Sequence, residues 1–370
     1  MQWTRCLRRF YAQDYKRGIG MKRVLLICML SMSLGGVAMN DAKALLAAKR
    51  AKKDEFYTQR VDIENELRHY KSHFKDKVVL CNCDDPRQSE LFKYFVENFE
   101  KLGLTRLVAT CYKSQDVDLF SQGDCERAIC QVYEGDKNGN MTMDDDEIGV
   151  RELKGDGDFR SAECIEILKE ADIVVTNPPF SLFREYIQQL AKYGKKFLII
   201  GNVNSLTYKE VFPLIKNNEL WLGVSIHSGD RKFGVPEDYP LNATNCGVDE
   251  NGQRFIRVKG VRWFTNLDYA QRHEKLPLYK KYIPEEFPKY DNYDAIEVAK
   301  TSDIPYDYED VMGVPITFMD KYNPEQFELI GCSDNGAVEE KYKLPHFKRH
   351  NEPYLNGKKV YKRIFIRRKK

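Results

Sequence analysis

The chain has 370 residues, and its 42% hydrophobic and 12% aromatic content excludes a disordered polypeptide. This length allows one large α/β domain with a smaller companion, or two domains. Ten cysteines in so long a chain exclude a disulfide-dense scaffold, and a formal net charge of +3 is too small to indicate a nucleic-acid partner by itself.

The first 38 residues differ in character from the rest. Lys22 and Arg23 precede an apolar run over residues 24–39 that serines and glycines interrupt. This pattern is typical of a secretory signal peptide, and it is too short and too interrupted for a membrane span. A third interpretation is that residues 1–38 are an extension outside the working protein, because Met39 opens an ordinary polar start that leads into a predicted basic helix over 41–53.

Residues 61–74 are predicted to form a helix, with His69 and His73 at positions i and i+4. A helical HxxxH pair can bind metal, but no third ligand is evident, so we interpret both as surface histidines. The cysteines show no CxxC pair, and the sequence therefore predicts no metal site.

A strand, turn, helix and strand follow in order. Residues 77–82 are predicted to be a buried strand, and 83–86 a turn. Ser89 is expected to cap a helix that Gly103 ends, and residues 107–110 form the next strand. This order is typical of the βαβ unit of a parallel sheet.

Residues 113–150 interrupt the alternation. Asp136, Asn138, Asn140, Asp144 and Glu147 have the spacing of a calcium loop, but residue 141 is methionine where such a loop needs glycine. We therefore predict a hairpin turn at 138–139, between strands at 132–133 and 141–142, rather than calcium binding.

The alternation resumes after residue 157. Ser161 is predicted to cap a helix that continues to 171, and residues 172–176 form a strand. A helix over 182–190 and a strand over 196–200 follow. The sequence thus predicts an α/β domain over 39–220. Beyond it the helical periodicity weakens, and residues 221–370 are assigned to a second region.

The C-terminal segment is basic. From Lys341 to Lys370 there are twelve lysines and arginines against one acidic residue, Glu352. Aromatic side chains are interleaved with them. Such a segment suits phosphate contacts, and an ordinary solvated end has the same composition, so both interpretations stay open.

The sequence Asn177-Pro178-Pro179-Phe180 follows the predicted strand over 172–176. Ligands of open α/β sheets bind at the carboxyl ends of strands. The prolines stiffen this loop and remove two backbone donors. The Asn177 side chain and the Pro178 carbonyl could accept both hydrogens of an exocyclic amine and expose its lone pair, while Phe180 stacks on the ring. A stiffened strand exit without chemistry is the alternative.

Four segments in this order resemble the EcoRI-type adenine-specific DNA methyltransferases. They are 54–59 (DEFYTQ), 81–87 (CNCDDPR), 155–160 (GDGDFR) and 177–183 (NPPFSLF), and the similarity covers about residues 40–370. The resemblance implies a Rossmann-like S-adenosylmethionine-dependent methyltransferase sheet with a smaller C-terminal target-recognition region. It also implies that Asn177, Pro178, Pro179 and Phe180 are catalytic.

The resemblance assigns a second group of residues to the cofactor. Residues 56–58 would pack around its methionine part, the turn at 82–85 stands where related folds have a glycine-rich loop, and 158–159 would bind its adenine. The assigned residues are Phe56, Tyr57, Thr58, Asn82, Cys83, Asp84, Asp85, Asp158 and Phe159. No acidic ribose ligand is assigned, because the second strand is followed by no acid before Asp116.

The implied reaction is methyl transfer from S-adenosylmethionine to N6 of an adenine flipped out of double-stranded DNA, in restriction-modification or a mobile element. Arg231, Lys232, Arg254 and Arg257 are candidate DNA contacts. A cytoplasmic monomer, with a cognate restriction endonuclease as a possible partner and no membrane, fits this reaction, so we favour residues 1–38 as an extension. The alternatives are methylation of RNA or of a protein glutamine, and a DNA-binding protein with a decayed site.

Overall fold

A computed structural model of the chain describes residues 57–112, 128–139, 147–227, 229–235, 241, 245–334, 338–344 and 351–369. The described residues from 57 to 235 and from 247 onwards belong to one compact unit. Several predictions therefore lie outside the described residues, namely the extension over 1–38, the basic helix over 41–53, Phe56, Asp116 and the strand over 141–142.

The described residues contain the following elements. The α-helices are α1 (Arg60–Leu67), α2 (Glu90–Glu97), α3 (Phe99–Leu102), α4 (Ala162–Glu170), α5 (Phe183–Lys192) and α6 (Phe212–Lys216). The strands are β1 (Tyr57–Thr58), β2 (Val78–Asn82), β3 (Arg106–Thr110), β4 (Ile129–Tyr133), β5 (Ile148–Glu152), β6 (Ile173–Thr176), β7 (Lys196–Asn202), β8 (Trp221–Leu222), β9 (Asp230–Gly234), β10 (Cys246–Val248), β11 (Arg254–Lys259), β12 (Val261–Thr265), β13 (Ile296–Glu297), β14 (Met312–Pro315), β15 (Phe327–Cys332), β16 (Tyr354–Leu355), β17 (Lys358–Lys359) and β18 (Arg363–Arg368). Short 3₁₀ helices lie at Lys71–His73, Phe180–Leu182, Val203–Thr207, Ala270–His273, Thr301–Asp303, Ile316–Lys321 and Glu340–Tyr342.

The largest sheet has eight strands in the order β5-β4-β3-β2-β6-β7-β12-β8. Its four central strands, β3, β2, β6 and β7, are parallel, and the strands outside them pair antiparallel. The chain runs from β2 to β3 on one side and then returns to β6 on the other side of β2. This confirms the predicted alternation of strands and helices and the mixed α/β class.

Local signals set most of the helix ends. The Ser89 side chain accepts from the Phe92 N–H at 3.4 Å, and the Ser161 side chain accepts from the Cys164 N–H at 3.2 Å. Gly103 has a φ of +66° and ends α3 as predicted. The helix predicted over 89–103 is interrupted at Asn98, whose side-chain amide donates to the Tyr94 carbonyl at 2.9 Å and separates α2 from α3.

An antiparallel pair of strands follows β3 along the chain. β4 pairs antiparallel with β5, so residues 129–133 are joined to residues 148–152, whereas the predicted strand over 141–142 lies outside the described residues. The Asp136 carboxylate accepts from the Asn138 and Gly139 N–H groups, and the Glu147 carboxylate accepts from the Lys137 N–H at 2.8 Å. These bonds tie the residues that follow β4 to Glu147, the residue that precedes β5.

The described residues also form two four-stranded sheets, with orders β1-β9-β11-β10 and β13-β14-β18-β15, and a two-stranded sheet of β16 and β17. The large sheet continues past the predicted boundary at residue 220, because β12 pairs with β7, and β8 with β12. β18 belongs to the basic C-terminal segment, yet it lies between β14 and β15 with its centre buried. Arg363 pairs with Glu297 and Arg367 with Glu328, each at 2.6 Å, so this part of the segment is structural.

Within the described residues, none of the helices has the length and apolar character needed to cross a bilayer.

Candidate active site

The carboxyl ends of β2 and β6 lie side by side at the centre of the large sheet. Asn82 ends β2 and Asn177 follows β6. The Thr176 hydroxyl donates to the Asn82 carbonyl and joins the two strand ends. Asn177 is only 5% exposed, and Pro178 is buried beside it. The order of the parallel strands reverses between β2 and β6, which is the position where open α/β sheets bind their ligands.

Phe180 is half-buried at the start of the 3₁₀ helix Phe180–Leu182, and its ring meets that of Phe233, a residue outside the large sheet. The Phe180 and Phe233 centroids lie 6.4 Å apart in an edge-to-face arrangement. Phe233 lies in β9, where it is directly opposite Thr58 of β1, and Gly234 is opposite Tyr57. The pairing of β1 with β9 thereby brings the predicted residue Thr58 to the same sheet face as Phe233, beside Phe180 of the motif, whereas the side chain of the adjacent Tyr57 leaves the opposite face.

The turn after β2 carries two buried carboxylates. Cys83 has a φ of +75°, the left-handed conformation that a glycine would adopt easily. Asp84 and Asp85 are each 5% exposed. The Ser89 hydroxyl donates to Asp84 at 3.2 Å, and Arg87 pairs with Asp85 at 2.7 Å.

The two acids of this turn differ in their charge partners. The pKa of the Asp84 carboxyl is raised to about 7. Burial is the largest cause, the hydrogen bond from Ser89 lowers the pKa, and the neighbouring Asp85 charge raises it. Asp85 has the Arg87 guanidinium beside it, whereas the described contact of Asp84 is with a neutral hydroxyl. Asp84 is thus a buried acid with a raised pKa, which is a property common at functional sites.

The loop at 156–160 packs against the end of β3. Gly157 has a φ of +78°, and a Cβ there would overlap the Cys111 carbonyl oxygen and lie 3.0 Å from the Ala128 Cβ. Both oxygens of Asp158 accept from the Arg160 guanidinium, at 2.9 and 2.6 Å. This pairing raises the pKa of Arg160 above its ordinary value.

Phe159, in the same loop, is buried and packs against α5. Its ring centroid is 5.0 Å from that of Tyr186, and its carbonyl accepts from the Gln189 amide at 2.9 Å. The Arg160 guanidinium lies 5.3 Å from the Phe159 ring centroid. Tyr186 was not predicted from the sequence as a site residue, although a hydroxyl on the buried face of α5 was a signal available there.

The four candidate DNA contacts separate into two groups. Lys232 and Arg257 are directly opposite each other on β9 and β11, so their side chains leave the same face of that sheet. Both cations lie near the Phe255 ring, at 4.7 and 5.7 Å, and Lys232 also pairs with Asp249 at 2.5 Å.

Arg231 and Arg254 lie elsewhere on the same sheet. Arg231 points to the opposite face from Lys232, and its Nε is 3.6 Å from the Asp62 carboxylate of α1. Arg254 is half-buried at the start of β11. Among the described residues, no three His, Cys, Asp or Glu side chains converge as a metal site requires.

The chain is similar to known proteins over most of its length. A family model described as "Adenine-specific methyltransferase EcoRI" matches residues 44–369. The chain is 53% identical to the type II methyltransferase M.EcoRI of Escherichia coli over 330 residues, which is 89% of this chain and 97% of that protein. It is 38% identical to M.MpnI of Mycoplasma pneumoniae and 37% identical to M.MgeORF184P of Mycoplasma genitalium, in each case over 87% of this chain and 97% of the relative. No solved structure matches the chain.

Proposed function

The chain belongs to the EcoRI family of adenine-specific methyltransferases, and on this basis we propose that it transfers a methyl group from S-adenosylmethionine to N6 of an adenine in double-stranded DNA. The observation that carries the proposal is the position of Asn177–Phe180 at the carboxyl end of β6, beside the buried acids of the turn after β2. The similarity to type II methyltransferases supports a restriction-modification setting, and we propose a cognate endonuclease as a partner.

The target amine is held by acceptors from this motif. The Asn177 side-chain carbonyl and the Pro178 backbone carbonyl accept its two hydrogens, which leaves the N6 lone pair exposed for transfer. Phe180 stacks on the extruded base, and Phe233 supports the Phe180 ring from the side. Transfer would replace one N6 hydrogen by the methyl group: the N–C bond would form as the S–C bond of the donor breaks, S-adenosylhomocysteine would leave with that electron pair, and the displaced proton would pass to solvent. Catalysis by these residues is chiefly positioning.

S-adenosylmethionine fits the residues around this motif and supplies, when bound, a methyl group already activated on a sulfonium. Asp84 is a buried acid next to a neutral hydroxyl, so an ammonium group such as that of a methionine moiety would stabilise its charged form. Thr58 borders the same site through β9 and has a buried hydroxyl without a hydrogen-bond partner. Asp158 and Phe159 are the groups for the adenine end.

The proposed ligand-binding residues have a Rossmann-like arrangement relative to the central parallel strands. The proposed cofactor and base residues lie on either side of the strand-order reversal between β2 and β6. The region after β7 supplies target recognition in this proposal, with Lys232 and Arg257 on one exposed sheet face as phosphate contacts. We propose a monomer acting in the cytoplasm, where both substrates are found.

The test is transfer of labelled methyl from S-adenosylmethionine to unmethylated duplex DNA, followed by separation of the product nucleosides. We expect N6-methyladenine from the wild type and at least a thousandfold slower transfer from Asn177→Ala. Asn217→Ala, at an exposed turn after α6, is the matched control and should keep the wild-type rate. Tight cofactor binding with transfer only to RNA, or only to a protein glutamine, would replace DNA as the substrate. Cofactor binding without any transfer would indicate a decayed site.

A further inference from the structure

Tyr186 connects the three segments that form the proposed site. It lies on α5, the helix that follows the Asn177–Phe180 motif, and it is 1% exposed. The other buried residues of this helix face are Phe183, Ile187 and Leu190, all of them apolar. A hydroxyl buried among such residues is costly unless it has a hydrogen-bond partner. Its partner therefore identifies what the hydroxyl does.

One partner of the hydroxyl is the last residue of β2. The Tyr186 hydroxyl donates to the Asn82 side-chain oxygen at 2.5 Å, and Asn82 immediately precedes the Cys83–Asp85 turn. The Asn82 backbone carbonyl meanwhile accepts from Thr176, the residue before Asn177. Asn82 is thus held on two sides by the chain segments that flank the base-binding motif. Burial raises the pKa of Tyr186 well above its ordinary value, so its hydroxyl remains a donor.

The ring of Tyr186 makes the third connection. Its edge meets Phe159, at 5.0 Å between centroids and an angle of 72°. Gln189, one turn further along α5, donates to the Phe159 carbonyl at 2.9 Å. The same helix therefore fixes the adenine-end segment through Phe159 and the acidic turn through Asn82.

We infer that Tyr186 is a positioning residue that couples the base motif to both parts of the proposed cofactor site, the Cys83–Asp85 turn and the Asp158–Phe159 segment. This coupling would bring the target amine and the methyl group into line. This inference rests on the proposed function. Tyr186 touches neither substrate in this account and acts through Asn82 and Phe159. Loss of its hydroxyl leaves the Asn82 oxygen without its donor and allows the acidic turn to shift relative to Asn177. A displacement of about 1 Å at a reacting centre can cost about a hundredfold in rate.

Tyr186→Phe tests the inference because it keeps the ring and removes only the hydroxyl. We expect the Kd for S-adenosylhomocysteine, measured by calorimetry, to rise about tenfold. The single-turnover rate of methyl transfer, with DNA and S-adenosylmethionine both saturating, should fall about a hundredfold. Tyr70→Phe is the matched control, because Tyr70 is also fully buried and donates to Glu66 at 2.8 Å. It should change neither value by more than about threefold.

A double variant separates positioning from general stability. If Tyr186 acts through Asn82, adding Tyr186→Phe to Asn82→Ala should slow transfer little beyond Asn82→Ala alone. Multiplied losses, or a Tyr186→Phe protein with wild-type Kd and rate, would overturn the inference while leaving the proposed function intact. A wild-type protein that binds S-adenosylhomocysteine but methylates no adenine would instead refute the proposed reaction. In that case the ratio of the S-adenosylhomocysteine Kd values of Tyr186→Phe and the wild type would still decide whether Tyr186 organises the cofactor site.

Discussion

Replacing Gly157 by alanine should damage both the fold and the cofactor site. Gly157 has a φ of +78°, and a Cβ there would overlap the backbone carbonyl oxygen of Cys111. The obstructing atom belongs to the backbone just after β3, and a backbone atom cannot move aside as the end of a flexible side chain can. Relief therefore requires the 156–160 loop itself to move, and Asp158 and Phe159 would move with it.

The size of the effect follows from two terms. A left-handed conformation costs a non-glycine residue about 1–2 kcal/mol. Forcing an extra carbon into a packed site costs about 1–3 kcal/mol more. We therefore expect the free energy of unfolding to fall by about 2–5 kcal/mol. Gly155→Ala is the matched control two residues away, because a Cβ at Gly155 meets no atom within 4 Å. It should change stability by less than about 1 kcal/mol.

Urea unfolding of both variants, followed by tryptophan fluorescence, measures this difference. Titration with S-adenosylhomocysteine measures the second consequence, since displacement of Asp158 and Phe159 should weaken binding by at least about tenfold in the Gly157 variant alone. A Gly157→Ala protein as stable as Gly155→Ala would show that the loop leaves Cys111 without cost. Lower stability with unchanged ligand affinity would remove this loop from the cofactor site.

Three further predictions concern charge and stacking. Because burial raises the pKa of Asp84 to about 7 from an ordinary value near 3.8, the stability it contributes is complete below pH 3.8 and is lost as the pH rises through 7. Asp84→Asn should therefore raise the urea midpoint relative to wild type at pH 8 but not at pH 4, and an equal difference at both pH values would contradict this. The pair Lys232→Ala and Arg257→Ala should lower the salt dependence of DNA affinity by about one phosphate contact each, while Lys300→Ala, exposed elsewhere, leaves it unchanged. Phe180→Ala should slow methyl transfer about tenfold to a hundredfold and Phe180→Tyr should retain most of the rate, since base stacking contributes about 1–3 kcal/mol. Equal transfer rates for the alanine and tyrosine variants would argue against stacking.

The amino-acid sequence alone determined the features that depend on neighbours along the chain. The strands β2, β3, β6 and β7 were predictable because short apolar runs end in turn residues, and the caps at Ser89 and Ser161 because their partners lie three residues away. The base motif was predictable for the same reason, since its four residues are contiguous. The interruption at Asn98 was missed because a single side-chain hydrogen bond there outweighs a helical apolar pattern.

Only the tertiary structure decided the contacts between distant segments. β12 joins the large sheet beside β7, Phe233 meets Phe180, and Tyr186 reaches Asn82 across 104 residues of sequence. Basic composition also concealed that β18 is a core strand, with Arg363 and Arg367 paired to glutamates. Residue patterns report which face is apolar, but they carry no information on which distant face or carboxylate it will meet. Strand pairing and burial choose those partners from many of similar chemistry, and this choice is what brings the separate motifs into one site.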